Sequence, residues 1–197
     1  MIDTTQRIFI RRIAVALMAL GFAASLGAQA TSTPATPASA APSAPAQEWK
    51  TYTYPEDGFS ALYPSAPDMQ KKNVPTEKGT FELRAYLSEQ AEAALFVGVC
   101  DYGDAVAGRD PDSVLDGAQE GAIGNVSAHL ISGKKITLGI YHGREFEAEN
   151  DTMHFSARIY LVGSTLYQTL TASPLGKPYA GATRFLDSFQ LIARVKN

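Results

Sequence analysis

Cysteine is almost absent: Cys100 is the only one in 197 residues. A single thiol makes no internal disulfide and no cysteine-based zinc centre. Charge is scarce too, at 19% of residues with a formal net charge of −3. That excludes the basic footprint with which nucleic-acid binders neutralise phosphates. No apolar run reaches the ~20 residues that a bilayer core demands. The catalytic signatures with a fixed spacing are missing as well: there is no HExxH, no GxSxG, no phosphate-binding loop and no dinucleotide GxGxxG.

What is present is a sizeable stock of core-forming residues. Apolar residues make up 45% of the chain, with nine Phe, nine Tyr and one Trp, so the bulk of it can offset the entropy of folding. The amino terminus reads as an export signal. Arg7, Arg11 and Arg12 form a positive start, Ile13 to Gly27 is uncharged and mostly apolar, and Ala28-Gln29-Ala30 offers the small-x-small pattern of a cleavage site. Cleavage after Ala30 predicts a protein that is periplasmic or secreted, with no stable membrane anchor. Losing residues 1–30 removes Asp3 and three arginines, leaving 14 basic and 19 acidic residues and a net charge of −5. Residues 31–47, TSTPATPASAAPSAPAQ, carry no charge and no large apolar side chain. They read as a disordered linker of extended, proline-stiffened character. Residues 48–197 then form one domain, 150 residues being enough for a single core.

Period-two patterns dominate that domain. Phe81, Leu83, Ala85 and Leu87 alternate with Glu82, Arg84 and Tyr86. The run AALFVGVC at 93–100 is apolar on both faces, as expected of a central strand covered on both sides. Met153 to Leu161 alternates, and so does 165–172. Shorter candidates lie at 49–54, 59–63, 134–140, 144–149 and 189–193. Two segments read as helices. One begins at the Asp110-Pro111 cap and first-turn proline, with Gly117, Gly121 and Gly124 on a face expected to approach the sheet. The other runs from about Pro178 to Ser188.

The turns set registers. Gly163-Ser164 is a Gly-first two-residue turn pairing Tyr160 with Tyr167, Ile159 with Gln168 and Ala157 with Leu170. Asn150-Asp151, taken as the next turn, pairs Phe146 with Phe155 and Ala148 with Met153. A three-residue loop at Tyr141-His142-Gly143 pairs Leu138 with Phe146 and Ile136 with Ala148, keeping those residues on one core face. The four strands form a meander.

The strings GFSALYPSAP (58–67), LDGAQEGAIGN (115–125), GREFE (143–147), ARIYLVGSTLYQ (157–168) and ATRFLDSFQL (182–191) resemble uncharacterised exported bacterial proteins. Their domain is similar to photosystem II extrinsic protein P and to a Ran-binding nuclear import factor. The resemblance implies a PsbP-like α+β fold: an antiparallel sheet of about six or more strands sandwiched between helices. Functions across that family, supporting an oxygen-evolving cluster or binding a GTPase, differ from each other, and fold alone carries neither.

The registers also gather a polar face. Glu145, Glu147 and Glu149 are expected opposite Ser156, His154 and Thr152, with Arg158, Tyr160, Tyr167, Thr169 and Thr171 beside them. Glu145, Glu147, His154, Arg158, Tyr160 and Tyr167 are the candidate ligand-binding residues. An imidazole opposite a carboxylate could also ligate a divalent cation, although a half-solvated face of charge pairs is the simpler expectation. Asp101 and Tyr102 end the apolar strand beside a loop and form a candidate binding edge. Cys100 is expected to be a small buried hydrophobe. No catalytic residues and no cofactor are expected. The sequence thus predicts a non-enzymatic exported module binding a protein or an envelope component. Small-molecule or metal binding on the polar face is the alternative, and a hydrolase comes last.

Overall fold

The computed structural model describes residues 48–76 and 79–195. The segments expected to be an export signal and a linker lie outside the described residues. Strands β1 (Lys50–Tyr54) and β2 (Phe59–Tyr63) form a hairpin, followed by β3 (Asp68–Thr76), β4 (Gly79–Glu89) and β5 (Ala94–Asp101). A 3-10 turn at Gly103–Val106 leads to helix α1 (Pro111–Asn125). The meander β6 (His129–Leu138), β7 (Tyr141–Glu149), β8 (Met153–Val162) and β9 (Thr165–Pro174) follows, then α2 (Ala182–Asp187) and β10 (Gln190–Leu191).

Seven strands make one antiparallel sheet in the order β3-β4-β5-β9-β8-β7-β6, and β1-β2-β10 make a second, three-stranded one. The central position of β5 explains its two-sided apolarity. Phe96 and Cys100 enter a core beneath α1 with Leu83, Phe146, Phe155 and Ile159. Leu95, Val97 and Val99 enter a second core with Phe59 and Tyr63 from the small sheet, Phe185 from α2 and Phe189 just before β10. The expectation of a sheet sandwiched between helices needs correcting. The molecule is mostly β, with a helix on one face of the large sheet and a small sheet plus six helical residues on the other.

Local chemistry accounts for the boundaries. The Asp110 carboxylate accepts the Ser113 N–H at 3.0 Å, and Pro111 occupies the first helical position. Of the three α1 glycines, Gly121 is buried, whereas Gly124 is exposed with nothing near it. The expected glycine face therefore does not extend to Gly124. The second helix is shorter than expected, and Phe185 and Leu186 are its buried residues.

The β8–β9 register is the one that Gly163-Ser164 dictates, including Tyr160 opposite Tyr167. The other two turns move. The β7–β8 turn is centred on Asp151-Thr152, because the Asn150 side chain accepts N–H groups from Thr152 and Met153 and folds the corner itself. Ala148 now faces Phe155, and Phe146 faces Ala157. This is a two-residue slide, which leaves every side chain on its expected face. The β6–β7 turn is Gly139-Ile140, with Gly139 at φ +61°, so Leu138 pairs with Tyr141 and Ile136 with Gly143. Ile136 and Leu138 consequently join the second core, not the first. The expected loop rested on one buried face, and this sheet has two.

Candidate functional site

The polar strip is built from β7 and β8. After the two-residue slide, Glu145 lies opposite Arg158, Glu147 opposite Ser156, and Glu149 opposite His154. This corrects the expected pairing of Glu147 with His154 across the ladder, yet the two still meet diagonally. His154 Nε2 is 2.8 Å from Glu147 Oε2, and Nδ1 is 3.0 Å from Glu149 Oε1. The Ser156 hydroxyl donates to the same Glu147 oxygen at 2.7 Å. One turn of the ladder away, Arg158 bridges Glu145 through Nε at 2.6 Å and Asp187 of α2 through Nη2 at 2.7 Å. Lys134 closes on the other Glu145 oxygen at 2.7 Å. Burial works against ionisation of Glu145, but Lys134 and Arg158 outweigh it and hold the carboxyl below its usual range.

The geometry of these donors bears directly on metal binding. The two carboxylates sit on opposite nitrogens of the His154 ring, so they cannot converge with it on one ion. Among the described residues, no group of three or more His, Cys, Asp or Glu side chains is placed to hold a metal.

Tyr160 and Tyr167 leave the strip. Both are buried, stacking or tilting against Phe189 at 5.8 and 5.7 Å, and burial pushes both phenols up. Thr169 and Thr171 are buried as well. The expected half-solvated face is thus mostly an interior. The second layer covers it and leaves only the Glu145–Arg158 and Glu147–His154–Glu149 groups at its margin.

At the other candidate edge, Asp101 and Tyr102 part ways. Asp101 Oδ1 accepts from the Ser164 hydroxyl at 2.6 Å and from Gly103 N–H at 3.0 Å. The Ser164 bond is the main reason its carboxyl lies below the usual range. Tyr102 is buried with its ring edge against Phe81 at 4.8 Å, and burial raises its phenol. This pair closes the strand end over the β8–β9 turn, leaving only Asp101 accessible. Cys100 is buried and pushed up to about 11, an inert thiol as expected.

Two buried polar clusters escape the sequence. Asp57, 2% exposed in the β1–β2 turn, receives the Tyr86 hydroxyl on Oδ2 and contacts Arg84 Nε through Oδ1. The Arg84 N–H is not aligned with that oxygen, so this contact is an ion pair, not a hydrogen bond. The Tyr167 hydroxyl donates to the Asp57 carbonyl at 2.7 Å. Gly58, at φ +71°, lets the turn come down on Tyr167. In sequence, Glu56-Asp57-Gly58 looks like any solvated turn. The only hint is that Arg84 and Tyr86 share the second face of a strand with a buried core on each side.

The other cluster centres on Arg144, buried on β7. It donates through Nε to Asp116 at 2.8 Å, through Nη1 to Asp112 at 2.9 Å, and through Nη2 to the Asp112 carbonyl at 3.2 Å. Lys135 and His142 converge on Asp112 too. The Lys135 bond, then those from Arg144 and His142, hold that carboxyl far below its usual range. Beside it, a Cβ on Gly143 would stand 2.6 Å from the Ile159 carbonyl. Gly143-Arg144 is therefore a joint: glycine for contact with β8, arginine to fasten α1.

No family model matches the chain, and no curated protein matches it. Among solved structures, cyanobacterial PsbP (CyanoP) from Synechocystis sp. PCC 6803 superposes with a TM-score of 0.52 at 12% identity, over 74% of this chain and 93% of that one. The chain is thus similar to that protein in fold, which makes the domain PsbP-like in architecture.

Proposed function

We propose that the chain is exported and that its folded domain is a non-enzymatic accessory module, binding a protein or another envelope component. The observation that carries this reading is how the polar strip is used. Each charged side chain in it has a polar or oppositely charged side-chain partner at 2.6–3.0 Å, an arrangement that joins β6, β7, β8 and α2. A general base or nucleophile needs an unpaired donor or lone pair facing open space, and this strip spends its groups on one another.

Export is tested by sequencing the amino terminus of the extracytoplasmic form. Thr31 is the expected first residue, and Met1 would overturn the signal reading. Binding is tested by placing a photo-crosslinking amino acid at half-buried Gln70 and at exposed Ile140 and Lys177, on three separate parts of the surface. The expected result is a discrete adduct with the same envelope component at one position, confirmed by titration with that component once purified. No adduct at any position, or turnover of an ester, amide or glycoside substrate, would refute the reading. Titration calorimetry with zinc, manganese and calcium is expected to give no saturable heat.

A further inference from the structure

One edge strand of the large sheet is β6, ten residues long, and among the described residues no strand covers its far side. Its hydrogen-bonding pattern follows from the turn. A two-residue loop makes Leu138–Tyr141 a hydrogen-bonded pair, so the alternate residues Thr137, Lys135 and Gly133 turn their N–H and C=O groups outward. Three further features surround these groups. Leu130 and Ile131, 47% and 52% exposed, sit together at the far end of β6, and Ile140 at the turn is 85% exposed. Gly133 has no side chain, and a Cβ built there would meet nothing closer than 3.7 Å. Asp116 and Glu120 lie exposed one helical turn apart on α1. The contacts of Asp116 with Arg144 and of Gln119 with Gly133 place that flank of the helix along the β7–β6 side.

The charge pattern says which chain fits. Lys134 and Lys135 are neutralised within the molecule by Glu145 and Asp112, at 2.7 Å each. Glu120 has no such partner among the described residues. Against a second copy, antiparallel pairing of two β6 strands about Gly133 would set glycine opposite glycine and leave Glu120 of each copy without a cation. A different chain escapes that penalty. It gains where it sets a cationic side chain over Gly133, beside the Asp116–Glu120 flank, and apolar ones over Leu130 and Ile131.

We propose that the β6 edge takes an extended segment of a protein partner as an eighth strand, with lysine or arginine opposite Gly133. This rests on the reading of the domain as a binding module and names its surface. Strand addition draws affinity from main-chain bonds and specificity from alternate side chains.

The probe is a capped nonapeptide of alternating valine and threonine with lysine at its centre. A twin with central glutamate and a version with prolines at alternate positions serve as controls. Amide NMR of the purified protein is expected to show the lysine peptide shifting Gly133, Lys135 and Thr137 and slowing their exchange with solvent at least tenfold. The glutamate twin binds at least threefold more weakly, and the proline version does not bind. Thr137→Pro removes one outward N–H and no ladder bond, and is expected to weaken binding at least tenfold. Glu120→Lys, on the helix surface, leaves folding intact and abolishes the preference for lysine. Unmoved β6 amides, a preference for glutamate, or a concentration-dependent dimer that protects β6 would each overturn the proposal. A partner crosslinked only through Gln70 or Lys177 would do the same while leaving the binding-module reading standing.

Discussion

Removing the Asp57 carboxylate is the sharpest perturbation of how the two layers are joined. Asp57→Ala leaves Arg84 with only the half-exposed Glu82 carboxylate, 3.4 Å away, as counter-ion, and the Tyr86 hydroxyl without its acceptor, both at the seam between the sheets. Truncating one partner of a buried ion pair costs about 3–5 kcal/mol. The Arg84 side chain keeps 24% of its surface exposed, so its guanidinium regains some hydration, and we expect about 2–4 kcal/mol. Asp57→Asn keeps an oxygen for Tyr86 and is expected to cost about 1–2 kcal/mol. The assay is urea denaturation followed by two signals. Trp49 is the only tryptophan and packs against the inter-layer core, so its fluorescence reports the small layer, while far-UV dichroism reports the large sheet. A double-mutant cycle with Arg84→Met isolates the pair and is expected to show about 1–2 kcal/mol of coupling. If Asp57→Ala unfolds within about 0.5 kcal/mol of the parent, the clasp contributes nothing, and the layers are held by Phe59, Phe185 and Phe189 alone.

Neighbouring residues on β8 are expected to differ sharply. Phe155→Ala opens the core under α1 and costs about 3–5 kcal/mol, whereas His154→Ala, at the margin with half-exposed partners, costs about 1 kcal/mol or less; urea melts compare them, and the reverse order would mean that His154 is structural. Acid is expected to destabilise the protein through Asp112 and Glu145. Both carboxyls are held below their unfolded values, so their contribution is fully present above the unfolded range near ~4 and is lost as pH falls through the folded values. Thermal melts from pH 6 to pH 2 check this, and the slope should shrink in Arg144→Met, which leaves Asp112 without its guanidinium. Cys100, buried with its thiol near 11, is expected to resist a thiol-specific reagent at pH 8 and to react at once in denaturant; rapid labelling of the native protein would show that its core opens.

Much of the architecture was legible where the signal is local. Alternation located most strands of the large sheet, the Asp110-Pro111 cap located α1, and Gly163-Ser164 fixed a register to the residue, because a two-residue turn with glycine first admits one geometry. The edge strand β3 was not legible. Its run Lys71-Lys72-Asn73 is polar on both faces and lacks the apolar alternation that a covered strand acquires.

Facing relations belong to the tertiary structure. Asn150 could begin a turn or be its corner, and only its hydrogen bonds to Thr152 and Met153 chose the latter. The loop expected at Tyr141-His142-Gly143 was chosen to keep Ile136 and Leu138 on one face with Phe146, a choice that fails because the sheet has two cores. The small sheet, assembled from β1, β2 and β10 at opposite ends of the domain, supplies the second core and draws Tyr160 and Tyr167 into it. It also turns Asp57 from a turn residue into a buried clasp. Local sequence determined which residues form strands, helices and tight turns, since those choices depend on a few consecutive side chains. What lies over each face depends on segments more than a hundred residues apart, and that is settled only when the chain has closed on itself.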